Sequence, residues 1–247
     1  MDGNGKIVLV TGGTKGIGRA VAEHLAGLGY RLALSYSGDE DAAEATRGRL
    51  TRLGADAVVI KANSRTRADV ERLFTDVRSQ LGELHAVIAN AGIENVEAPF
   101  AEMSEEDLDR VVDINVKGTF FTLQQAARHV VDGGRVIATG STIARYPPPN
   151  SGAYAATKAA VRTMIEVLAL ELGPRGVTAN SLSPGAVEGS GIFTRMDDEA
   201  RQTFFAASPM GRLPRAEDLV GSVAFLLSDA ARLVTGHHLE VTAGFRV

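Results

Sequence analysis

The sequence predicts an α/β fold: a single domain with a doubly wound, mostly parallel, seven-stranded sheet and helices on both faces. Short β-branched runs alternate along the chain with longer segments whose apolar residues recur at helical spacing. This alternation is typical of parallel sheets, because each helix carries the chain back to the edge where the next strand begins. No internal repeat, low-complexity run or linker interrupts the pattern, so residues 1–247 are expected to form one domain.

Each element follows from its local pattern of residues. Aliphatic and β-branched runs predict strands over residues 6–10, 32–36, 57–61, 86–90, 135–139, 178–182 and 239–241. Apolar residues at helical spacing predict helices over residues 19–29, 40–53, 68–81, 105–131 and 153–172. The last of these helices is expected to end at Gly173-Pro174, which does not favour a further helical turn.

Residues 185–214 are long for a connection in a compact domain. They follow the sixth strand at its carboxyl end, where open α/β sheets bind their ligands, and we expect them to form a mobile helical lid. Their apolar residues Phe193, Met196, Phe204 and Phe205 suggest an apolar substrate surface. The alternative is a surface insertion that is packed by its own aromatic side chains.

Composition excludes several classes of function. With 26 basic and 30 acidic residues, the chain has a net charge of -4 and lacks the basic excess expected of a nucleic-acid partner. Because it has no cysteine, a disulfide framework, a thiolate metal site and a cysteine nucleophile are excluded. Its five histidines match no metal-binding pattern, so no metal is expected. No apolar run approaches the roughly 18 residues of a membrane helix, and a cytoplasmic location is expected.

A glycine-rich loop, Thr11-Gly12-Gly13-Thr14-Lys15-Gly16-Ile17-Gly18, lies between the first strand and the first helix. Glycine permits a tight turn there and lets the backbone approach a pyrophosphate, which free N–H groups at the helix N-terminus attract. No lysine followed by serine or threonine ends the loop, which argues against a P-loop for ATP. The loop therefore predicts a dinucleotide site.

The end of the second strand discriminates between the two nicotinamide dinucleotides. A carboxylate there would bind the ribose hydroxyls of NAD and repel the 2′-phosphate of NADP, but Tyr36 occupies this position. Lys15 and the hydroxyls of Ser35 and Ser37 could bind the phosphate, so we expect NADP(H). Asp39 and Glu40 follow closely and weaken this argument if their loop folds back on Lys15.

The segment Tyr154-Ala155-Ala156-Thr157-Lys158 begins a predicted helix and places its tyrosine and lysine on one helical face. A nearby cation lowers the pKa of a tyrosine from its usual ~10, so that the hydroxyl can act as a general acid or base. Ser141 follows the fifth strand, where its hydroxyl could hydrogen-bond a reacting carbonyl oxygen. Taken alone, a tyrosine and a lysine at this spacing are equally well explained as exposed helix residues.

The glycine loop resembles the TGxxxGxG pattern of the short-chain dehydrogenase/reductases, and further segments resemble that family in the same order. These segments are Asn90-Ala91-Gly92, Asp113-Ile114-Asn115-Val116-Lys117-Gly118, Tyr154 to Lys158, and Asn180-Ser181-Leu182-Ser183-Pro184-Gly185. The resemblance extends from Lys6 to about Gly244 and implies a Rossmann-like fold.

The resemblance also implies roles for individual residues. Tyr154 would be the acid/base, Ser141 would position and polarise the carbonyl, and Lys158 would lower the tyrosine pKa and hold the nicotinamide ribose. Asn115 would hold a water in a proton relay, and Asn63 stands where the family usually has an aspartate that contacts adenine. The cofactor-binding residues expected are Gly12, Thr14, Lys15, Gly16, Ile17, Gly18, Tyr36, Ser37, Asn63, Ser64, Asn90, Ala91, Gly92, Tyr154, Lys158, Pro184, Gly185 and Val187.

These features together predict an NADP(H)-dependent oxidoreductase that transfers a hydride between the nicotinamide and a ketone or secondary alcohol. The chain is similar to beta-ketoacyl carrier-protein reductases and polyketide or polyhydroxynaphthalene ketoreductases, which suggests an apolar, acyl or polyketide-like substrate. The alternatives are an epimerase or dehydratase that uses the same site, and a nicotinamide-binding sensor without catalysis. A homotetramer is the family expectation and a dimer the alternative, although Val241-Thr242-Ala243-Gly244 departs from the usual VDGG near a subunit interface.

Overall fold

A computed structural model of the chain describes residues 3–94, 97–189, 191–194 and 197–245. Its strands, in chain order, are β1 (Ile7–Val10), β2 (Arg31–Tyr36), β3 (Ala57–Lys61), β4 (Leu84–Ala89), β5 (Val130–Thr139), β6 (Thr178–Pro184) and β7 (His238–Val241). They form one sheet in the order β3-β2-β1-β4-β5-β6-β7, and every neighbouring pair is parallel. The predicted α/β fold class is therefore confirmed.

The described part of the chain contains eight α-helices. They are α1 (Gly16–Gly27), α2 (Glu40–Arg52), α3 (Arg67–Gln80), α4 (Glu105–Val112), α5 (Thr119–His129), α6 (Gly152–Leu172), α7 (Asp198–Ala207) and α8 (Ala216–Leu227). Within the described ranges, no helix is both long and apolar enough to cross a membrane.

Two apolar layers hold the helices to the sheet. On one face α3, α5 and α6 contribute Phe74, Leu123 and Ile165 to a buried cluster with the strands. On the other face α1 and α8 contribute Leu25 and Leu219, both fully buried. Burying a side chain of this size contributes about 1.5–3 kcal/mol, so these stripes determine which helical face meets the sheet.

The structure departs from the predicted elements in two places. The segment predicted as one helix over residues 105–131 is divided by a π-helical turn, Asp113–Gly118, and ends at His129 because β5 begins at Val130. Helix α8 was not predicted, although Leu219, Val223 and Leu226 recur at helical spacing and are buried.

The order of the strands creates the site. From β1 the chain first builds outward to β2 and β3, and it then returns to place β4 on the other side of β1. The crevice at the carboxyl ends of β1 and β4 is the switch point at which open α/β sheets bind ligands. The glycine loop follows β1 and Asn90 follows β4, so both border this crevice.

The predicted lid contains a 3-10 turn, Gly191–Thr194, and helix α7. Phe204 on α7 packs edge-on against Phe193, with ring centroids 5.2 Å apart, and stacks on Phe245 near the chain end at 5.3 Å. Met196 lies outside the described residues. The aromatic side chains thus pack on one another, and their function as a lid stays a prediction.

Candidate active site

The glycine loop forms a cradle that side chains would fill. Gly12 and Gly16 have φ angles of 61° and 49°, which glycine adopts without strain. A Cβ on Gly18 would lie 2.4 Å from the carbonyl oxygen of Gly12, and one on Gly12 would lie 3.0 Å from the Cα of Ala91. The N-cap residue of α1, Lys15, makes no side-chain hydrogen bond to the first turn. The loop therefore fits the pyrophosphate of a dinucleotide, whose oxygens could accept hydrogen bonds from this turn.

Asn90 connects the glycine loop to the neighbouring strands. Its Nδ2 donates to the carbonyl oxygens of Thr11 and Gly12, both at 3.1 Å, and its Oδ1 accepts from Thr139 Oγ1 at 3.0 Å. The Asn90 side chain thereby holds the loop after β1 in register with the end of β5. This explains physically why an amide, with both a donor and an acceptor, follows β4.

The structure weakens the expectation that Lys15 binds the 2′-phosphate of NADP. Lys15 forms an ion pair with Asp39, so the loop after β2 does fold back on the glycine loop. This contact lowers the pKa of Asp39, whose Oδ1 also accepts the backbone N–H of Ala42 and caps α2. Lys15 is therefore shared between Asp39 and any phosphate that binds, and the prediction of NADP(H) from Lys15 loses part of its basis.

Asn63, the residue expected to contact adenine, already uses the oxygen proposed for that contact. Its Oδ1 accepts the backbone N–H of Arg65 at 3.1 Å. A carbonyl oxygen has two lone pairs, so a second hydrogen bond remains available to a ligand. The side chain is thus held in place by its own turn, at the end of β3.

Tyr154 and Lys158 lie in the first turns of α6 and face the crevice, as their spacing predicts. Lys158 is 6% exposed, its Nζ donates to the carbonyl oxygen of Thr139 at 2.9 Å, and it lies 5.6 Å from the centre of the Tyr154 ring. Ser141 caps a short 3-10 turn, where its Oγ accepts the N–H of Ile143 at 3.3 Å, and it lines the same cavity as Tyr154. The structure therefore brings Ser141, Tyr154 and Lys158 together.

The pKa of Tyr154 does not shift in the expected direction. Burial raises it above the ordinary value and the carboxylate of Glu94 raises it further, whereas the hydrogen bond with Ser141 lowers it. Burial also lowers the pKa of Lys158 to about 8, against a smaller opposing effect of Glu94. Desolvation is the largest effect on Tyr154, and the expected lowering of the tyrosine pKa by Lys158 is absent here.

Asn115 lies in the π-helical turn and is 1% exposed. Its Nδ2 donates to the carbonyl oxygen of Ile93 at 2.8 Å and to Thr157 Oγ1 at 3.2 Å, and its Oδ1 accepts the N–H of Ile93 at 2.9 Å. The side chain thus fastens the segment after β4 to α6, which carries Lys158. Its part in a proton relay stays a prediction.

Two cavities meet at this point. The glycine-loop cleft has a volume of about 440 Å³, and the Ser141 cavity one of about 330 Å³. Tyr154, Glu94, Ile17 and Thr139 line both of them. The tyrosine therefore stands where a molecule in one cavity would meet a molecule in the other.

Most of the predicted cofactor residues line the glycine-loop cleft: Gly12, Thr14, Lys15, Gly16, Ile17, Tyr36, Ser37, Asn63, Ser64, Asn90, Ala91, Gly92, Tyr154 and Lys158. Gly18 is absent from the described lining because it packs beneath the loop. Pro184, Gly185 and Val187 line the Ser141 cavity instead. Of the loop residues after Ser141, Ile143 lines that cavity, while Arg145 pairs with Glu240 at 3.6 Å.

Sequence reasoning missed several residues of the site. Thr139 holds both Lys158 and Asn90, and its position at the end of β5 was the available signal. Glu94 lines both cavities, and its place just after Asn90-Ala91-Gly92 could have drawn attention to it. Phe245 reaches the Ser141 cavity from the far end of the chain, which no local pattern predicts. The described residues contain no group of His, Cys, Asp and Glu that could hold a metal ion.

Comparison with known proteins agrees with this geometry. A family model described as enoyl-(acyl carrier protein) reductase matches residues 12–246. A short-chain dehydrogenase/reductase from Serratia marcescens superposes with a TM-score of 0.91 at 33% identity, over 98% of each chain. The chain belongs to the short-chain dehydrogenase/reductase family.

Two further relatives are named for reductase activities. The chain is 36% identical to an NADPH-dependent aldehyde reductase-like protein, chloroplastic, of Arabidopsis thaliana, over 98% of this chain and 94% of the relative. It is 34% identical to the 3-oxoacyl-(acyl-carrier-protein) reductase FabG of Staphylococcus aureus, over 97% of each. The family binds a nicotinamide cofactor, and this short-chain dehydrogenase/reductase is an oxidoreductase that acts on carbonyl or alcohol groups.

Proposed function

We propose that this protein is an NADP(H)-dependent ketoreductase, in which Tyr154, Ser141, Lys158 and Asn115 form the catalytic site. The observation that carries the proposal is the place of Tyr154 at the junction of the two cavities. Ser141 lines one cavity, and Lys158 lines the other. The glycine-loop cleft would hold the dinucleotide, and the Ser141 cavity the ketone.

When bound, the nicotinamide supplies a hydride to the carbonyl carbon of the substrate. Ser141 and Tyr154 donate hydrogen bonds to the carbonyl oxygen and stabilise the negative charge that develops there. The C=O π bond breaks, and the electron pair on oxygen takes the hydroxyl proton of Tyr154. A raised pKa keeps Tyr154 protonated at neutral pH, which suits a proton donor in the reductive direction.

Lys158 then restores the proton of Tyr154. Because burial lowers its pKa to about 8, its ammonium group gives up a proton more readily than that of an exposed lysine. Lys158 regains a proton from solvent, and we propose that a water held near Asn115 carries it. Asn115 lies close to this path, since a Cβ on Gly92 would be 3.1 Å from Asn115 Oδ1 and 3.7 Å from Lys158 Nζ.

Use of NADP(H) is supported by Tyr36 at the end of β2, where an acidic residue would repel the 2′-phosphate. The Arabidopsis relative is likewise named for NADPH. The name of the Staphylococcus relative supports a ketone on an acyl or similarly apolar substrate.

Substitution of Tyr154 by phenylalanine tests the mechanism. Tyr154→Phe removes only the hydroxyl group, and we expect kcat for ketone reduction to fall by about 10²- to 10⁴-fold. NADPH binding, measured by fluorescence titration, should change little. Tyr146→Phe is the matched control, since Tyr146 lies outside the described lining of both cavities. Full activity of Tyr154→Phe would contradict the mechanism.

The same assay separates the alternative functions. A ketoreductase oxidises one NADPH for each ketone reduced, whereas an epimerase or dehydratase turns over substrate without net NADPH consumption. A sensor would bind NADPH and show no turnover in the wild-type protein. Stoichiometric NADPH oxidation that depends on ketone would exclude both alternatives.

We also propose that residues 185–214 act as a substrate lid, since Phe204 on α7 lines the Ser141 cavity.

A homotetramer, with a dimer as the alternative, is supported by exposed apolar side chains on α5 and α6. Phe120 is 50% exposed, Val167 47% and Leu170 80%. Sedimentation at micromolar concentration would distinguish these assemblies from a monomer. The cytoplasmic location stays a prediction.

A further inference from the structure

A series of hydrogen-bonded side chains leads from the protein surface toward the active site. It begins at Glu166, an exposed residue of α6, whose Oε1 lies 2.9 Å from Nε2 of His238 on β7. Nδ1 of the same ring lies 2.7 Å from the Oγ of Ser181 on β6. That Oγ lies 3.2 Å from the Oγ of Ser183, and both serines are buried. The series therefore crosses from one face of the sheet into the interior.

The chemistry of its outer end decides which group donates at each contact. A carboxylate only accepts hydrogen bonds, so Nε2 of His238 donates to Glu166, and Nδ1 of the neutral ring accepts from Ser181. Ser181 has a single hydroxyl proton, so Ser183 is the donor in the contact between the two serines. Each group in the series is thus both a donor and an acceptor, as the transfer of a proton from one group to the next requires.

The inner end of the series meets a small cavity beside the proposed catalytic site. Its lining includes Ser141, Lys158, Ser181, Ser183 and His238. Its volume is about 10 Å³, close to the space that one water molecule occupies. Gly140 lets the two serines approach, since a Cβ there would lie 2.6 Å from Ser183 Oγ and 3.3 Å from Ser181 Oγ. A single water in this cavity would connect the series to Lys158.

The charged groups near the ring of His238 are Glu166 and Arg162 on α6, His237 and Glu240 on the last strand and its approach, and Arg145, which pairs with Glu240. Burial lowers the pKa of His238, and the hydrogen bond with Glu166 opposes this effect. The charges of Arg162 and His237 lower the pKa further. The ring is therefore mostly neutral near pH 7 and releases a proton readily once it has gained one.

We propose that His238, Ser181 and Ser183 form a proton relay that carries most of the protons returned from solvent to Lys158. The three residues act through Lys158, so they are positioning residues and not catalytic ones. This inference rests on the proposed ketoreductase function and adds a second path to the one at Asn115. The path at Asn115 carries the smaller share, because both side-chain N–H groups of this residue already donate to protein atoms.

The relay moves one proton inward and leaves no charge along its length. Protonation by solvent turns His238 into an imidazolium, which the carboxylate of Glu166 stabilises. The Nδ1 proton of the ring passes to Ser181, the proton of Ser181 passes to Ser183, and that of Ser183 passes to the cavity water. The water gives a proton to the neutral amine of Lys158. One N–H bond thus breaks at His238 and one forms at Lys158, while the ring keeps its proton on Nε2.

Variants that interrupt the relay test the inference in ketone reduction at low buffer concentration. His238→Gln keeps a donor and an acceptor but does not titrate, and Ser181→Ala removes one link. We expect kcat to fall about 10-fold in each, less than the 10²- to 10⁴-fold of a general acid itself. KM for the ketone and the affinity for NADPH should not change. His237→Gln, at an adjacent and exposed histidine, is the matched control and should keep the wild-type kcat.

Two measurements distinguish proton transfer from a structural effect. The ratio of wild-type to His238→Gln kcat should be largest near pH 6 and fall toward 1 above about pH 8, because the imidazolium is depleted as the pH rises. Imidazole added to His238→Ala should restore kcat by occupying the vacated space. Thiazole, a ring of the same size that is uncharged at neutral pH, should not restore it.

The outcomes separate the relay from the proposed function. If ketones are reduced and both variants keep the wild-type kcat, the relay is wrong while the ketoreductase proposal stands. A loss that is independent of pH and is not restored by imidazole would likewise overturn the relay.

If no ketone supports NADPH oxidation, the proposed function fails, and ¹⁵N NMR of His238 in the cofactor-free protein decides the inference. Lys158→Met should then raise the pKa of His238, and Ser183→Ala should diminish this effect. A pKa of His238 that Lys158→Met leaves unchanged would overturn the connection between the two residues.

Discussion

Replacing Lys158 by methionine should stabilise the cofactor-free protein at neutral pH while it abolishes activity. Lys158 is 6% exposed, and burial lowers its pKa from 10.5 to about 8. Each pKa unit corresponds to about 1.4 kcal/mol, so holding this charge in the folded protein costs about 3 kcal/mol at pH 7. Methionine has a similar length and carries no charge.

The substitution also removes a favourable contact. Nζ donates to the carbonyl oxygen of Thr139 at 2.9 Å, and losing that hydrogen bond costs about 1 to 2 kcal/mol. The net gain in the free energy of unfolding is therefore expected to be about 1 to 2 kcal/mol. Urea denaturation of both proteins without cofactor, followed by circular dichroism, measures this difference.

The dependence on pH makes the prediction specific. A cation whose pKa is lowered on folding carries its full cost below the folded value of about 8, and the cost disappears as pH rises toward 10.5. The advantage of Lys158→Met should therefore be constant from pH 6 to 8 and shrink above it. Lys6→Met, at an exposed lysine, is the control and should show no such trend. A variant less stable than wild type at pH 7, or a difference independent of pH, would refute the reasoning.

Two further substitutions test the dinucleotide site. Gly18→Ala places a Cβ 2.4 Å from the carbonyl oxygen of Gly12, so we expect about 1–3 kcal/mol of destabilisation by urea denaturation and weaker NADPH binding. Gly27→Ala, in the same helix with open space around it, should be neutral or stabilising. Equal losses of stability in the two variants would contradict the close packing of Gly18 against the glycine loop. Asp39→Asn keeps the cap of α2 but releases Lys15, so NADPH affinity should rise up to about 5-fold with NADH affinity unchanged. An unchanged NADPH affinity would mean that Lys15 does not reach the 2′-phosphate.

Local sequence patterns predicted the fold because its determinants are local. Most strands show their own run of aliphatic or β-branched residues, and each crossover helix except α8 was recognised from the spacing of its apolar residues. Helix α8 was missed because it follows a long stretch without periodicity, although its buried stripe is as regular as those of the other helices. The π-helical turn at Asn115 depends on hydrogen bonds to Ile93 and Thr157, which sequence spacing does not reveal.

Many individual residues of the candidate site were predicted from the sequence, but their contacts with one another were not. The glycine loop, Ser141, Tyr154 and Lys158 could be named because glycine, hydroxyl and ammonium groups stood at turns and helix starts that parallel sheets bring to one edge. The sequence indicated that Asp39 would weaken the case for NADP(H) if it paired with Lys15. Whether the two residues pair could not be decided from the sequence, since it depends on how the loop after β2 folds. Glu94 and Phe245 were not foreseen as part of the site.

The sequence by itself therefore determined the order of the elements, the parallel sheet and the chemical groups offered at its carboxyl edge. The tertiary structure decided the environment of those groups: the burial that shifts the pKa values of Tyr154 and Lys158, and the meeting of two cavities at Tyr154. The physical reason is the distance along the chain over which each effect acts. Backbone preference and apolar periodicity act over a few residues, whereas desolvation and charge depend on side chains that are distant in sequence and meet only when the sheet and its helices have packed.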